Sequence, residues 1–107
     1  MFQSTIADLV TDEAVARAHR AADGAWLERA AATVRQVARA RTTFTTDDIW
    51  AAGLPEPRES RALGPVLRQA QAAGAIIPTG EYARSERPAC HRRPVRVWRS
   101  LIAGGGA

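Results

Sequence analysis

Two prolines constrain the fold of this chain most, because they separate two segments that otherwise have the character of helices. Pro55 and Pro57 lie in the stretch LPEPRE at 54–59. A proline forces the residue before it into an extended conformation, so a regular helix cannot run through this stretch. We therefore predict one helix on each side, joined by a slightly long turn.

The segment before the turn carries the signals of a short helix. Thr46 is expected to be its N-cap, and Gly53 is a natural stop. Asp47 and Asp48 lie in the first turn, where the helix dipole favours negative charge. Adjacent carboxylates also occur at catalytic or metal sites, but in a first turn they far more often complement the dipole. We therefore assign them a structural role.

The segment after the turn has helical periodicity from Arg61 to Ala73, with Ser60 as the expected N-cap and Gly74 closing it. Its apolar face consists of Leu63, Val66, Leu67 and Ala70. The opposite face consists of Arg61, Pro65, Arg68 and Ala72, with Gly64 and Gln71 beside them. Two arginines separated by small residues fit a helix that approaches a DNA groove, and an ordinary solvated face is the alternative. Pro65 is expected to distort this helix locally.

Two strands are predicted to follow. The first is a short strand at 75–77, bent by Pro78-Thr79-Gly80, and the second is a return strand at 95–99 whose residues alternate between two faces. The residues between them, 81–94, are too polar and too rich in proline for a core. Long loops in small domains are usually functional. Cys90 and His91 in this loop are interpreted as ordinary residues. A metal site would lack further ligands there, and a nucleophile–base pair would lack a pocket.

The chain before the first short helix is expected to be helical. Its apolar residues recur every three or four positions, namely Val15, Ala18, Ala22, Trp26, Ala30, Val34 and Val37. We expect an N-cap at Thr11 and a break at Asp23-Gly24, giving two helices in series. Trp26 is expected to anchor the core. A short strand is predicted at 42–45, where β-branched and aromatic residues cluster.

The positive charge is concentrated in one region. The chain has a net charge of +4 with no lysine. Residues 1–81 hold nine arginines and ten acids, a net charge of −1. Residues 82–99 hold six arginines and only Glu86, a net charge of +5. Such an asymmetry indicates a nucleic-acid contact surface rather than general basicity.

Composition excludes several classes of protein. At 107 residues the chain suits one small domain. One cysteine excludes an internal disulfide framework, and with only two histidines it leaves a zinc site short of ligands. We find no apolar run near 18 residues, no phosphate loop and no catalytic set. We therefore expect a cytoplasmic, non-enzymatic protein without cofactor, metal or membrane contact.

Three segments resemble small winged helix-turn-helix proteins of actinobacteria and their bacteriophages. They are FTTDDIW at 44–50, RALG at 61–64 and RPACHRRPVRVWRS at 87–100. The resemblance covers about residues 23–102 and implies a DNA-binding fold in a phage or prophage setting, with no defined reaction. We therefore predict an α+β fold, mainly α with a small antiparallel β-hairpin. It comprises a helical extension at 1–22, a winged helix-turn-helix at 23–102 and a flexible tail at 103–107.

The predicted function is double-stranded DNA binding by a phage regulator or a replication or excision accessory, nucleoid-associated or in the host cytoplasm. The second helix would read bases, and the wing, residues 82–99, would contact phosphates. The residues predicted to contact DNA are Arg58, Ser60, Arg61, Arg68, Gln71, Arg84, Arg87, His91, Arg92, Arg93 and Arg96. The alternative is a protein-interaction module that binds a host protein. The alanine-rich first helical segment also permits a homodimer.

Overall fold

One long helix sets the length of the molecule. A computed structural model describes the backbone of residues 2–59, 61–87 and 93–104, and the side chains from residue 12 onwards within these ranges. Helix α1 spans Phe2–Ala40 without interruption. At 1.5 Å per residue it measures about 58 Å, close to the longest extent of the molecule, 61 × 35 × 21 Å.

The continuity of α1 corrects two predictions. Thr11 is not an N-cap, since the helix already includes it, and Asp23-Gly24 does not break the helix. A single glycine costs about 1 kcal/mol relative to alanine, too little to end a helix whose later turns pack on a core. Asp23 does not cap a second helix and instead accepts a hydrogen bond from Arg58 Nη2 at 2.8 Å.

Helix α2 spans Thr46–Ala51, one residue from the predicted start. The N-cap is Thr45 rather than Thr46, and it forms a capping box. The Asp47 amide donates to Thr45 Oγ1 at 3.2 Å, while the Thr45 amide donates to Asp48 Oδ2 at 2.8 Å. Gly53 follows the helix with a φ of 101°, a left-handed conformation that favours glycine, so the predicted stop is confirmed.

Helix α3 spans Leu63–Ala72, so it begins two residues later than the predicted start at Arg61. Its N-cap is Ala62 rather than the predicted Ser60, and no side chain caps it. The predicted inward face is confirmed, because Leu63, Val66 and Leu67 are buried. Pro65 is the third residue of the helix, where the amide of any residue would lack an intrahelical acceptor. A proline in the first turn removes no helical hydrogen bond, so the main cause of the expected distortion is absent.

Within the described residues, three strands form an antiparallel sheet in the order β1-β3-β2. Their bounds are Thr43–Phe44 for β1, Ile76–Arg84 for β2 and Pro94–Ser100 for β3. The strands β2 and β3 are longer than predicted, so the connection between them covers 85–93 rather than 81–94. We call β2, β3 and this connection the basic hairpin.

Strand β2 bulges in its middle. Pro78 pairs with Trp98 and Tyr82 with Arg96, so residues 79–81 lie opposite Val97 alone. Thr79 Oγ1 donates to the Val97 carbonyl at 2.9 Å, and Gly80 has a φ of 84°. The predicted bend at 78–80 is therefore a bulge within one continuous strand.

The core lies where α1, α2 and α3 meet the sheet. It contains the second half of the α1 stripe and the apolar residues of the other elements, namely Ala30, Val34, Val37, Ala38, Phe44, Ile49, Leu54, Leu63, Val66, Leu67, Ile76 and Trp98. The first half of the predicted stripe does not join it, since Val15 is 47% exposed. Trp26 packs partly buried against the core, as expected.

The chain after β3 closes the C-terminal end of α1. Ser100 Oγ donates to the Ala38 carbonyl at 2.5 Å, and the Gly104 amide donates to the Arg39 carbonyl at 2.9 Å. These bonds satisfy carbonyls that a helix end leaves without partners. Ala103 and Gly104, placed in a flexible tail by the sequence, thus lie in a turn beside α1, and 105–107 lie outside the described residues.

The structure is a small α+β protein with three helices and a three-stranded antiparallel sheet within the described residues, which confirms the predicted fold class at that level. In the described part of the chain, no helix is both long enough and apolar enough to cross a membrane.

Candidate nucleic-acid interface

Helix α3 presents a polar face to solvent. Arg68 and Gln71 are exposed on it, and Arg61 is exposed in the turn that leads into it. Gly64 lies under Arg68: a Cβ at position 64 would be 3.6 Å from Arg68 Nη1. The guanidinium therefore lies close along the helix surface, over the turn that precedes it.

The basic hairpin carries a second group of cations. Arg84 on β2, Arg96 on β3 and Arg93 just before β3 are all exposed. Among the described residues, none of the three has an ion-pair partner. The Arg96 guanidinium carbon lies 5.6 Å from the centre of the buried Trp98 ring, which favours one orientation of its long side chain.

Asp47 ties the outer end of the hairpin, where β2 meets the connection to β3, to the start of α2. The Ser85 hydroxyl lies 2.8 and 3.1 Å from the two Asp47 carboxylate oxygens, and the Glu86 amide donates to Asp47 Oδ2 at 2.8 Å. Ser85 is 1% exposed and also accepts from the Arg87 amide at 3.2 Å. The carboxylate at position 47 thus holds the outer end of the hairpin against α2. The sequence assigned it only to the helix dipole.

Arg87 forms a second tie rather than projecting into solvent. Its Nη2 donates to Glu56 Oε1 in the turn at 2.7 Å, and its guanidinium carbon lies 4.8 Å from the centre of the Trp50 ring. The side chain is 26% exposed. Arg87 therefore braces hairpin, turn and α2, and its predicted contact with DNA stays a prediction.

Arg58 braces the turn against α1. It is ion-paired with Asp23 at 2.8 Å, with both side chains partly exposed. Close by in the chain, Trp26 Nε1 donates to the Pro55 carbonyl at 2.6 Å. Arg58 was predicted to contact DNA, and the structure gives it a partner within the chain.

The remaining predicted residues lie outside the described part of the chain. They are Ser60, His91 and Arg92. Cys90 lies there too, so the structure does not place the Cys90-His91 pair. Among the described residues, no group of three His, Cys, Asp or Glu side chains is placed to hold a metal ion.

The adjacent carboxylates Asp47 and Asp48 face different parts of the structure. Asp48 accepts the N-cap amide and lies 3.1 Å from Arg41 Nη1, while Asp47 faces the hairpin. Each carboxylate therefore already has its own partners, and the assignment to structural roles fits these contacts.

One exposed aromatic side chain was missed. Tyr82 on β2 is 62% exposed, the highest value among the large hydrophobic residues the structure describes as exposed. A shallow depression of about 250 Å³ beside it is lined by Tyr82, Ala83, Arg84 and Pro94. The sequence does carry a signal for this residue, because Tyr82 is an aromatic residue among arginines in a predicted loop.

Comparison with known proteins places the chain in no group. No protein-family model matches it, no curated protein matches it and no solved structure matches it.

Proposed function

We propose that this protein binds double-stranded DNA without catalysing a reaction, as a winged helix. In this proposal α2 and α3 form the helix-turn-helix, α3 lies in the major groove and the basic hairpin lies on the adjacent backbone. One observation carries the proposal: the net charge of +5 in residues 82–99, with Arg84, Arg93 and Arg96 exposed on the hairpin.

The chemistry of the two surfaces divides the work. Exposed guanidinium groups neutralise phosphates and release condensed counterions, which supplies affinity independent of sequence. Arg68 and Gln71 on α3 are residue types that donate to base edges, Arg to guanine and Gln to adenine. Affinity would come mainly from the hairpin, and discrimination from the helix.

The internal braces support this division. A contact surface made of two elements binds DNA well only when the elements keep a fixed spacing, because ordering them on binding costs free energy. The Asp47–Ser85 bonds and the Arg87–Glu56 pair join the hairpin to α2 and to the turn before α3. The two proposed contact elements are thus held together before DNA arrives.

The resemblance noted above extends the proposal to where in the cell the protein acts and in which process. The protein would act in the cytoplasm, at the nucleoid or in an infected host, as a phage regulator or a replication or excision accessory. Selection of bound fragments from a genomic DNA pool tests this, and a palindromic site would also indicate a homodimer.

A direct binding titration tests the proposal itself. We expect fluorescence anisotropy with a labelled duplex to show binding in the micromolar range or tighter at about 50 mM salt, weakening steeply as salt rises. No binding under these conditions would overturn the proposal and favour the alternative, a module that binds a host protein.

A further inference from the structure

Tyr82 lies on the same face of the basic hairpin as two arginines. It is directly opposite Arg96 in the ladder, and Arg84 is directly opposite Pro94. Opposed residues in an antiparallel pair, and residues two apart on one strand, share a face. The face therefore carries an aromatic ring with one arginine opposite it and another two residues along its own strand.

This is the face of the sheet that covers the core at Trp98, but at Tyr82 it extends past the core residues. Trp98, two residues after Arg96, is 4% exposed, whereas Tyr82 is 62% exposed. At Tyr82 the ring is open to solvent beside a depression of about 250 Å³.

The surroundings of the ring match the chemistry of a nucleotide. A nucleobase offers a flat π surface for stacking, and its phosphates offer negative charge to flanking arginines. Stacking needs a base whose face is uncovered, and inside a continuous duplex both faces are covered by neighbouring bases. The ring therefore suits an unpaired base.

We propose that Tyr82 stacks on an unpaired nucleobase while Arg84 and Arg96 contact the phosphates on either side of it. The protein then binds DNA in which a single strand extends from a duplex more tightly than a continuous duplex. This inference rests on the proposed function, because it adds a stacking contact to a protein that already binds the duplex.

The test compares three labelled probes by anisotropy. One is a duplex, the second is the same duplex with a single-stranded extension of about eight nucleotides, and the third carries an abasic extension of equal length. We expect the second probe to bind about 5- to 150-fold tighter than the first. The abasic extension has the same phosphates without bases, so it should bind like the duplex to within a few-fold.

Variants of Tyr82 separate stacking from fold. Tyr82→Ala should remove the preference for the base-bearing extension and leave duplex affinity within about twofold, whereas Tyr82→Phe keeps the ring and should keep the preference. A 2-aminopurine in the extension should lose fluorescence on binding the protein, and should lose less with Tyr82→Ala. Circular dichroism of each variant checks that it is folded.

Each contrary result has a separate meaning. Equal affinity for duplex and extended probes overturns this inference and leaves duplex binding intact. Equal affinity for abasic and base-bearing extensions assigns the gain to charge and also overturns it, as does loss of the preference in Tyr82→Phe. No binding to any probe overturns the proposed function together with the inference.

Discussion

The Ser85 hydroxyl donates to the Asp47 carboxylate at 2.8 Å, joining two residues that lie 38 positions apart. Ser85 is 1% exposed, so its hydroxyl has no access to water and depends on this acceptor. The bond holds the outer end of the basic hairpin, just beyond the Arg84–Pro94 pair, against the first turn of α2. Any effect of this pair on DNA binding would act through the position of the hairpin.

Replacing Asp47 tests how much this tie stabilises the fold. Asp47→Ala removes the acceptor and leaves a buried hydroxyl and the Glu86 amide without a partner, which costs about 1–3 kcal/mol of unfolding free energy. Asp47→Asn keeps one acceptor oxygen and should lose less. Urea denaturation measures both variants, and a double-mutant cycle with Ser85→Ala should give a coupling of about 0.5–3 kcal/mol. Additive effects would show that the bond is not formed in solution.

Arg87 and Arg93 should respond in opposite ways to truncation. Arg87→Ala removes the Glu56 pair and the contact with Trp50, and should lower the unfolding free energy by about 0.5–1.5 kcal/mol, since the pair is partly exposed. Arg93→Ala should leave stability unchanged and weaken binding to all DNA sequences, lowering the salt slope by about one. Urea denaturation and anisotropy at several salt concentrations provide the two readouts. A stability loss in Arg93→Ala but not in Arg87→Ala would contradict the assigned roles.

Arg68 should affect discrimination rather than general affinity. Arg68→Ala should reduce the preference for a selected site over random DNA by about 1–3 kcal/mol if the side chain contacts a base. Arg20→Ala, on the exposed face of α1, is the matched control with the same change in charge and should leave the preference unchanged. Competition titrations with selected and random duplexes measure this. An equal effect of the two substitutions would assign Arg68 to general electrostatics.

Gly24 offers a way to stabilise the protein. It lies within continuous helix, it is exposed, and a Cβ at this position would meet nothing within 4 Å. Gly24→Ala should therefore raise the unfolding free energy by about 0.5–1 kcal/mol. Thermal or urea unfolding gives the value. A loss of stability would indicate that α1 bends at this residue in solution, as the sequence suggested.

The elements that were predicted well are those whose signals are local. The inward face of α3 follows from Leu63, Val66 and Leu67 at helical spacing, and the stop of α2 follows from Gly53. The predicted break at Gly24 was wrong. The glycine costs the helix only about 1 kcal/mol, and the packing of the rest of α1 outweighs this local cost. β2 was predicted too short because its outer residues, 79–84, are mostly exposed and do not alternate between apolar and polar side chains.

The braces of the interface could not be predicted for a different reason. Asp47 and Ser85, or Glu56 and Arg87, meet only because the fold brings distant segments together, and no spacing in the sequence marks such pairs. The sequence shows the net charge of residues 82–99, but it does not show which of their arginines face solvent. Arg87 is turned inward by Trp50, whereas Arg84 and Arg93 are exposed.

The long helix α1 has a consequence for how the sequence of this protein can evolve. Most of its residues from Asp12 to Arg29 are exposed, and the buried part of the helix begins at Ala30. Substitutions in the exposed turns share few neighbours with the basic hairpin, so their effects on stability should add to those in the hairpin rather than interact. Selection can therefore change the exposed turns of α1 while the basic hairpin keeps its own residues.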